Sequence, residues 1–549
     1  MSDTTPADCS LGINRVKDNN VDREKEMNRK CRTICGTLVA LALVGTTWSF
    51  AQSADTKNRF KLEEATVADV QAAMKSGKLT AHRLVEMYLA QIDAYDQKGP
   101  ALNAVIAPNP NALADADALD AAFKRSGPVG PLHGIPVLVK DIVATQGIPT
   151  TAGSKSLEGY VPAEDATIVR RLKAAGAIVI AKSNPHEFSI WGENISSLGG
   201  QTRNPYDLTR TPGGSSGGTG AGLGANYAIL GIGADTNNSI RSPSSANSIV
   251  GIRPTIGLIS RSGVIPVSSV QDAVGPMART LTDAVKMLNV MVGGYDAGDP
   301  ATAWSVGHSE KDYTKYLTLG GLKGARLGVV ETLFGGADVN RDVNVVARAA
   351  IKRMEDAGAV TVSIRDPMLD SSKIGPNISV DLYDLKPDLN AYLANARPTP
   401  PVKSLEEIIQ SGKFSPHIGD ALRKAQSLDR DASYFERLYR RKLLQDNIMK
   451  IMAENNLDAL IFPHQQRLVV PIGERQLERN GNIASVPGFP SIAVPGGFSP
   501  PTANAPVGVP VGMEFVGRPW DEGRLIRLAY GFEQATRFRV PPKSAPFQP

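Results

Sequence analysis

The stretch "TPGGSSGGTG", Thr211 to Gly220, sets two adjacent serines between two pairs of glycines. Gly213-Gly214-Ser215-Ser216-Gly217 fits the pattern G-x-S-x-G, and so does the frame one residue later. Either frame is the sequence of a nucleophile elbow, where a sharp turn carries a serine from a buried strand into a helix. That reading demands a strand pattern directly before the serine, then Asp or Glu and then His further along the chain. The preceding "NPYDLTRTP" carries no strand pattern, and the histidines that follow, His308, His417 and His464, have no catalytic context. His464, after "ALIFP", reads as a structural residue. The elbow loses, so the role of the serines has to be sought in the rest of the chain.

On either side of this block, helix and strand patterns alternate. "TVADVQAAMKSGKLTAHRLVEMYLAQIDAYD" predicts two amphipathic helices, the second opening at Thr80 as its N-cap. "HGIPVLVKDI" predicts a short buried strand ending at Lys140, and "DATIVRRLKAAGAIVIAKSN" predicts a helix, a turn at Gly176 and a strand. "VNVVARAAIKRMEDAGAVTVSI" repeats that arrangement, and strand patterns return in "LDALIFP", "PSIAVPGGF" and "VGMEFVG". Such alternation argues for an α/β sheet with helices on both faces. From about 366 to 455 the pattern becomes Pro-punctuated and helical. Its flanks lack linker composition, so it reads as a helical insertion within the domain and not as a second domain.

The N-terminal segment has a different character. Asn28-Arg29-Lys30-Cys31-Arg32 precedes the apolar run "ICGTLVALALVG" and then Ser49-Phe50-Ala51. A basic segment, a short apolar run and a small-x-small site predict a secretory signal cleaved after Ala51. The apolar run of 12 residues is short against the ~20 of a spanning helix, so no stable membrane insertion is expected after cleavage. Residues 1–26 are polar, which makes Met27 a candidate start beside Met1, and 52–58 reads as a short linker. Cys9, Cys31 and Cys35 are the three cysteines, all ahead of the cleavage site. A cysteine nucleophile, a disulfide framework and a thiolate metal site are thereby excluded from the mature chain. A formal charge of +5 over 549 residues, with no basic run, gives no reason to expect a nucleic-acid partner. No metal-ligand cluster, P-loop or cofactor motif is present in the sequence.

Four blocks together resolve the function of the serines: "HGIPVLVKDI", "GENISSLGGQTRNPYDLTRTPGGSSGG", "GADTNNSIRSPSSANSIVGIRPT" and "VGMEFVGRPW". In this order the chain resembles the amidase signature family of serine hydrolases, from roughly 60 to 540. The resemblance implies one large α/β domain over 59–545, with a twisted mixed β-sheet surrounded by helices. It also implies a Ser, cis-Ser, Lys triad. Carried over, the nucleophile is Ser239 in "TNNSIR", the bridging serine after a cis peptide is Ser215, and the base is Lys140. The backbone N–H groups of Thr236, Asn237, Asn238 and Ser239 would form the oxyanion hole. Gly214, Ser216, Asp235 and Arg241 would support the site.

Each role has a physical reason. A serine hydroxyl becomes a nucleophile when a base takes its proton, and a lysine is that base only where desolvation lowers its pKa. Lys140 closes the apolar run Ile135–Val139, and on a strand Asp141 points to the opposite face. Asn237 and Asn238 stand where many members carry glycines, which reduces the latitude for positive φ. His133 reads as structural. The resemblance implies hydrolysis of a small-molecule amide without a cofactor, with esters and carbamates open to the same attack, and the signal pattern adds a secreted or periplasmic location. An amidase scaffold serving only to bind ligands is the alternative outside enzymes, and the sequence assigns no oligomeric state.

Overall fold

Short runs rich in Val, Ile and Ala have become strands and the amphipathic runs between them helices. The computed structural model describes residues 60–547, so the predicted signal peptide and linker lie outside the described residues. The strands are β1 (Val105–Pro108), β2 (Pro136–Lys140), β3 (Ile178–Ser183), β4 (Ile195–Ser196), β5 (Gly200–Gln201) and β6 (Leu230–Asp235). They continue as β7 (Val250–Arg253), β8 (Ala273–Ala278), β9 (Arg326–Val330), β10 (Val360–Ile364), β11 (Ala459–Pro463), β12 (Ser491–Phe498) and β13 (Pro510–Val516). Eleven of them form one sheet in the order β1-β3-β2-β6-β8-β7-β12-β13-β11-β9-β10, and β4 pairs only with β5. β2 runs parallel to β3 and β6, and β9 parallel to β10 and β11. The other neighbours are antiparallel, so the sheet is mixed.

The helices lie where their sequence signals put them. Thr80 caps Ala81–Tyr95 by accepting from the Arg83 N–H, and Thr66 caps Val67–Lys75 in the same way through Asp69. Gly176, at φ 87°, turns the chain between Thr167–Ala174 and β3. Between β10 and β11 the regular structure is helical, including Ser371–Ile378, Asp381–Asn395 and Ala432–Glu454. Leu444, Ile448 and Met452 of the last of these share one apolar cluster with Leu460 of β11 and Val516 of β13. The helical stretch thus packs into the core of the sheet, and from Lys61 onward the chain is one compact unit.

Two parallel neighbours place the chemistry. β2 and β6 pair through Val137 with Leu230, Leu138 with Gly231 and Val139 with Ile232. Their carboxyl ends therefore lie side by side, delivering Lys140 from one and the Asp235–Ser239 segment from the other. That end of a parallel pair is where open α/β sheets place ligands. No strand stands between β5 and the serines, only isolated bridges such as Arg210 with Pro471. Ser215 and Ser216 instead lead into the buried helix Gly217–Gly224, so the strand that an elbow requires is missing.

Candidate active site

Lys140 is 1% exposed and is the last residue of β2. Its Nζ donates to Ser215 Oγ at 2.8 Å and lies 3.4 Å from the Ala234 carbonyl. Burial holds the amine down to about 7, opposed by the carboxylates of Asp235 and Asp272. Asp141, next in sequence, serves the opposite face, as strand alternation requires. Its Oδ2 accepts from the N–H and hydroxyl of Thr151 and from the Gly153 N–H, and its Oδ1 lies 3.3 Å from Lys182 Nζ.

The peptide bond from Gly214 to Ser215 is cis, and Gly213 has φ 68°. A Cβ on Gly214 would stand 2.9 Å from the Gly192 carbonyl oxygen, so glycine is required there by close backbone approach. The Ser215 carbonyl accepts from the His186 N–H, and the Ser216 N–H donates to the Ser239 carbonyl at 3.3 Å. Ser216 Oγ accepts from the Ala234 N–H and bonds to the Ala234 carbonyl. The serine block is in this way stitched to the end of β6 and to the segment that carries Ser239.

That segment is held by its side chains and carbonyls. Asn237 Nδ2 donates to Asp381 Oδ2 at 2.7 Å, and Asn237 Oδ1 accepts from Gln271 Nε2 at 2.9 Å. The Asn237 carbonyl accepts from Arg241 Nη2 and Ser485 Oγ. Asn238 Oδ1 accepts from the Gly481 N–H at 3.0 Å. Neither asparagine is among the residues with positive φ, so this backbone path needs no glycine freedom, and both amides are used as struts. Among the described residues, none accepts from the backbone N–H groups of Thr236, Asn237, Asn238 or Ser239. All four residues line one cavity of about 320 Å³.

Behind the segment is a buried charge cluster. Arg241 binds Asp235 through Nε and Nη2 at 3.1 and 3.0 Å, and its Nη1 bonds to Glu514 and to the Gly481 carbonyl. Arg253 also meets Asp235, at 3.1 Å. Burial pulls the Asp235 carboxyl upward, but Arg241 and Arg253 outweigh it and leave it well below the usual carboxylate range. Glu514, beside Arg241, is likewise held down to about 2 against its burial. His464 Nδ1 bonds to Glu514 Oε2 at 2.7 Å, and burial lowers its pKa, a structural placement. His133 accepts from the Val129 N–H and packs on Phe123, away from the serines.

The structure thus brings Lys140, Ser215, Ser216, Asp235, Arg241 and the Thr236–Ser239 segment together. The sequence reading did not single out Gln271, Asp381, Arg253, Gly481, Ser485 or Glu514. Glu514 had a signal: a lone acid inside the apolar "VGMEFVG" must find a buried partner. Further cavity walls come from Ser189 to Trp191, from the helical stretch through Ser379, Asp381 and Leu385, and from residues between Arg475 and Asn482.

The chain is similar to known proteins over most of its length. A family model described as Amidase matches residues 83–526. A probable amidase of Arabidopsis thaliana is 35% identical over 499 residues, covering 88% of this chain and 92% of that protein. Among solved structures, native peptide amidase from Stenotrophomonas maltophilia is similar with a TM-score of 0.80 and 37% identity, over 88% of this chain and 99% of that one. An amidase family protein from Bacillus anthracis is similar with a TM-score of 0.76 and 32% identity, over 88% of this chain and 93% of that one.

Proposed function

This chain belongs to the amidase signature family, and from that premise we propose that it hydrolyses a carboxylic amide to acid and amine or ammonia through an acyl-enzyme on Ser239. The observation that carries the reading is the contact between the buried, base-competent Lys140 amine and Ser215 Oγ, beside the segment that bears Ser239. Ser239 Oγ bonds to the amide carbon while its proton passes to Ser215, whose own proton passes to Lys140. The carbonyl electron pair moves onto oxygen, and the free N–H groups of the Thr236–Ser239 segment face that developing charge. On collapse the C–N bond breaks, and the Lys140 proton returns through Ser215 to the leaving nitrogen. Water then repeats the attack on the acyl-enzyme and releases the acid.

Esters and carbamates offer the same carbonyl to the same nucleophile and are further substrates of this route. The signal predicted to end at Ala51 makes the enzyme an exported one, working outside the cytoplasm. The helical stretch over about 366–455 shapes the substrate entrance, supported by the cavity residues it contributes. A fluorophosphonate probe tests the assignment on the chain from Gln52. Label on Ser239 that is lost in Lys140→Ala is the expected result. Label on Ser215 or Ser216 that survives the lysine change would restore the elbow reading. No label together with no amide turnover would leave a binding protein.

A further inference from the structure

The cavity beside Ser239 carries an arginine whose guanidinium is held by no direct hydrogen bond or ion pair among the described residues. Arg479 and Arg475 both line it. Arg475 is committed: its Nε is 3.7 Å from Glu193 Oε1 and its guanidinium lies 4.4 Å over the Trp191 ring. The Arg479 guanidinium makes no side-chain hydrogen bond or ion pair among the described residues. It fills the space in which a Cβ on Gly192 would stand, so the chain has given up a side chain to admit it. On the same cavity lining, Gln476 is 2% exposed and its Nε2 has no hydrogen-bond partner.

The nearby acids make no direct contact with the Arg479 guanidinium, and Glu193 acts on it through space. Both oxygens of Asp381 are taken, one by Asn237 and the other by Ser379 and the Leu382 N–H. Glu193 accepts from the Gln476 and Gly192 N–H groups, lies beside Arg475 and is not part of the cavity lining. Burial presses on the Arg479 guanidinium, and Glu193 only partly opposes it. Arg479 is only half-buried, and its planar fork of donors, open to the cavity, matches a carboxylate bidentately. The orphan acceptor Asn482 Oδ1 on the same lining leaves room for a neutral donor beside the acid.

We infer that Arg479, with the Gln476 amide of the same cavity lining, binds a carboxylate carried by the substrate, so that amides bearing a free acid group are preferred over neutral ones. The inference rests on Ser239 being the nucleophile of this cavity. The turn that carries Arg479 is pinned to the oxyanion segment, because the Gly481 N–H donates to Asn238 Oδ1. An acid held there is therefore placed at a fixed distance from the scissile bond, whether it lies on the acyl or the amine side.

Two matched pairs of amides separate those sides: glutaryl against valeryl p-nitroanilide, and 4-acetamidobenzoate against 4-methylacetanilide. The expected result is a ratio of kcat/KM, acid over neutral, of about 10 to 100 in one pair, the range for hydrogen bonds to a charged group. That ratio should fall to about 1 in Arg479→Met, chiefly through KM, and be partly kept in Arg479→Lys. Because the readout is a ratio within one variant, a general loss of folding does not mimic it. Turnover of both members of each pair with a ratio near 1, or a ratio unchanged in Arg479→Met, overturns the inference and leaves the amidase reading intact. No turnover and no probe label on Ser239 overturns both.

Discussion

If Lys140 takes the proton from Ser215, acid must switch the enzyme off through that one amine. Burial brings it from 10.5 to about 7, a preference for the neutral form on the order of 5 kcal/mol. A lysine with a depressed pKa is neutral and base-competent above that value and protonated below it. The acid limb of kcat/KM should therefore have its midpoint near 7 and fall about tenfold per pH unit beneath it. The carboxylate of Asp272 works against the depression, so Asp272→Asn should move the midpoint to lower pH. Lys140→Ala should lower kcat/KM by at least about 100-fold.

The assay is the initial rate on a neutral chromogenic amide from pH 5 to 10, with circular dichroism at each pH to separate titration from unfolding. A midpoint that stays near 10, a flat profile across the range, or Lys140→Ala within tenfold of the parent would refute the reasoning. Any of these would mean that the proton leaves by another path and that the contact between Lys140 and Ser215 is structural.

The other predictions concern the scaffold of the site. Asn237→Ala removes the struts to Gln271 and Asp381, and should lower kcat by about 10- to 100-fold with KM and the thermal midpoint little changed, the signature of a misaligned oxyanion segment. In Gly214→Ala the new Cβ meets the Gly192 carbonyl oxygen at 2.9 Å; backbone on both sides leaves no flexible tip to yield, so a loss of about 1–3 kcal/mol in a denaturant titration should accompany loss of turnover. Arg241→Met leaves Asp235 and Glu514 buried without their shared partner, a loss of about 3–5 kcal/mol, and the same titration should show a midpoint far below that of the parent.

Much of the fold was legible in the sequence because its signals are local. Thr80 caps its helix through a bond that spans three residues, and Gly176 supplies the turn between a helix and the strand that follows. The buried end of β2 could be read from five apolar residues before Lys140, and the direction of Asp141 from strand alternation alone. The order of strands in the sheet could not be read in this way. β2 and β6 are neighbours across a separation of more than 90 residues, and the pattern of each says only that it is buried.

The asparagines mark where local reading stops. Asn237 and Asn238 looked like a loss, since glycine's freedom at φ is the property a sequence makes visible. The structure has no use for that freedom there. The partners that make Asn237 useful lie 34 and 144 residues away, and that of Asn238 243 residues away. Two of these partners, Asp381 and Gly481, belong to segments that also wall the cavity. A side chain at 237 or 238 therefore couples the Thr236–Ser239 backbone to the cavity walls, which two glycines could not do. The geometry of the site and the shape of its pocket are set together, and a change in the helical stretch should reach the reacting carbonyl through Asp381 without touching Ser239, Ser215 or Lys140.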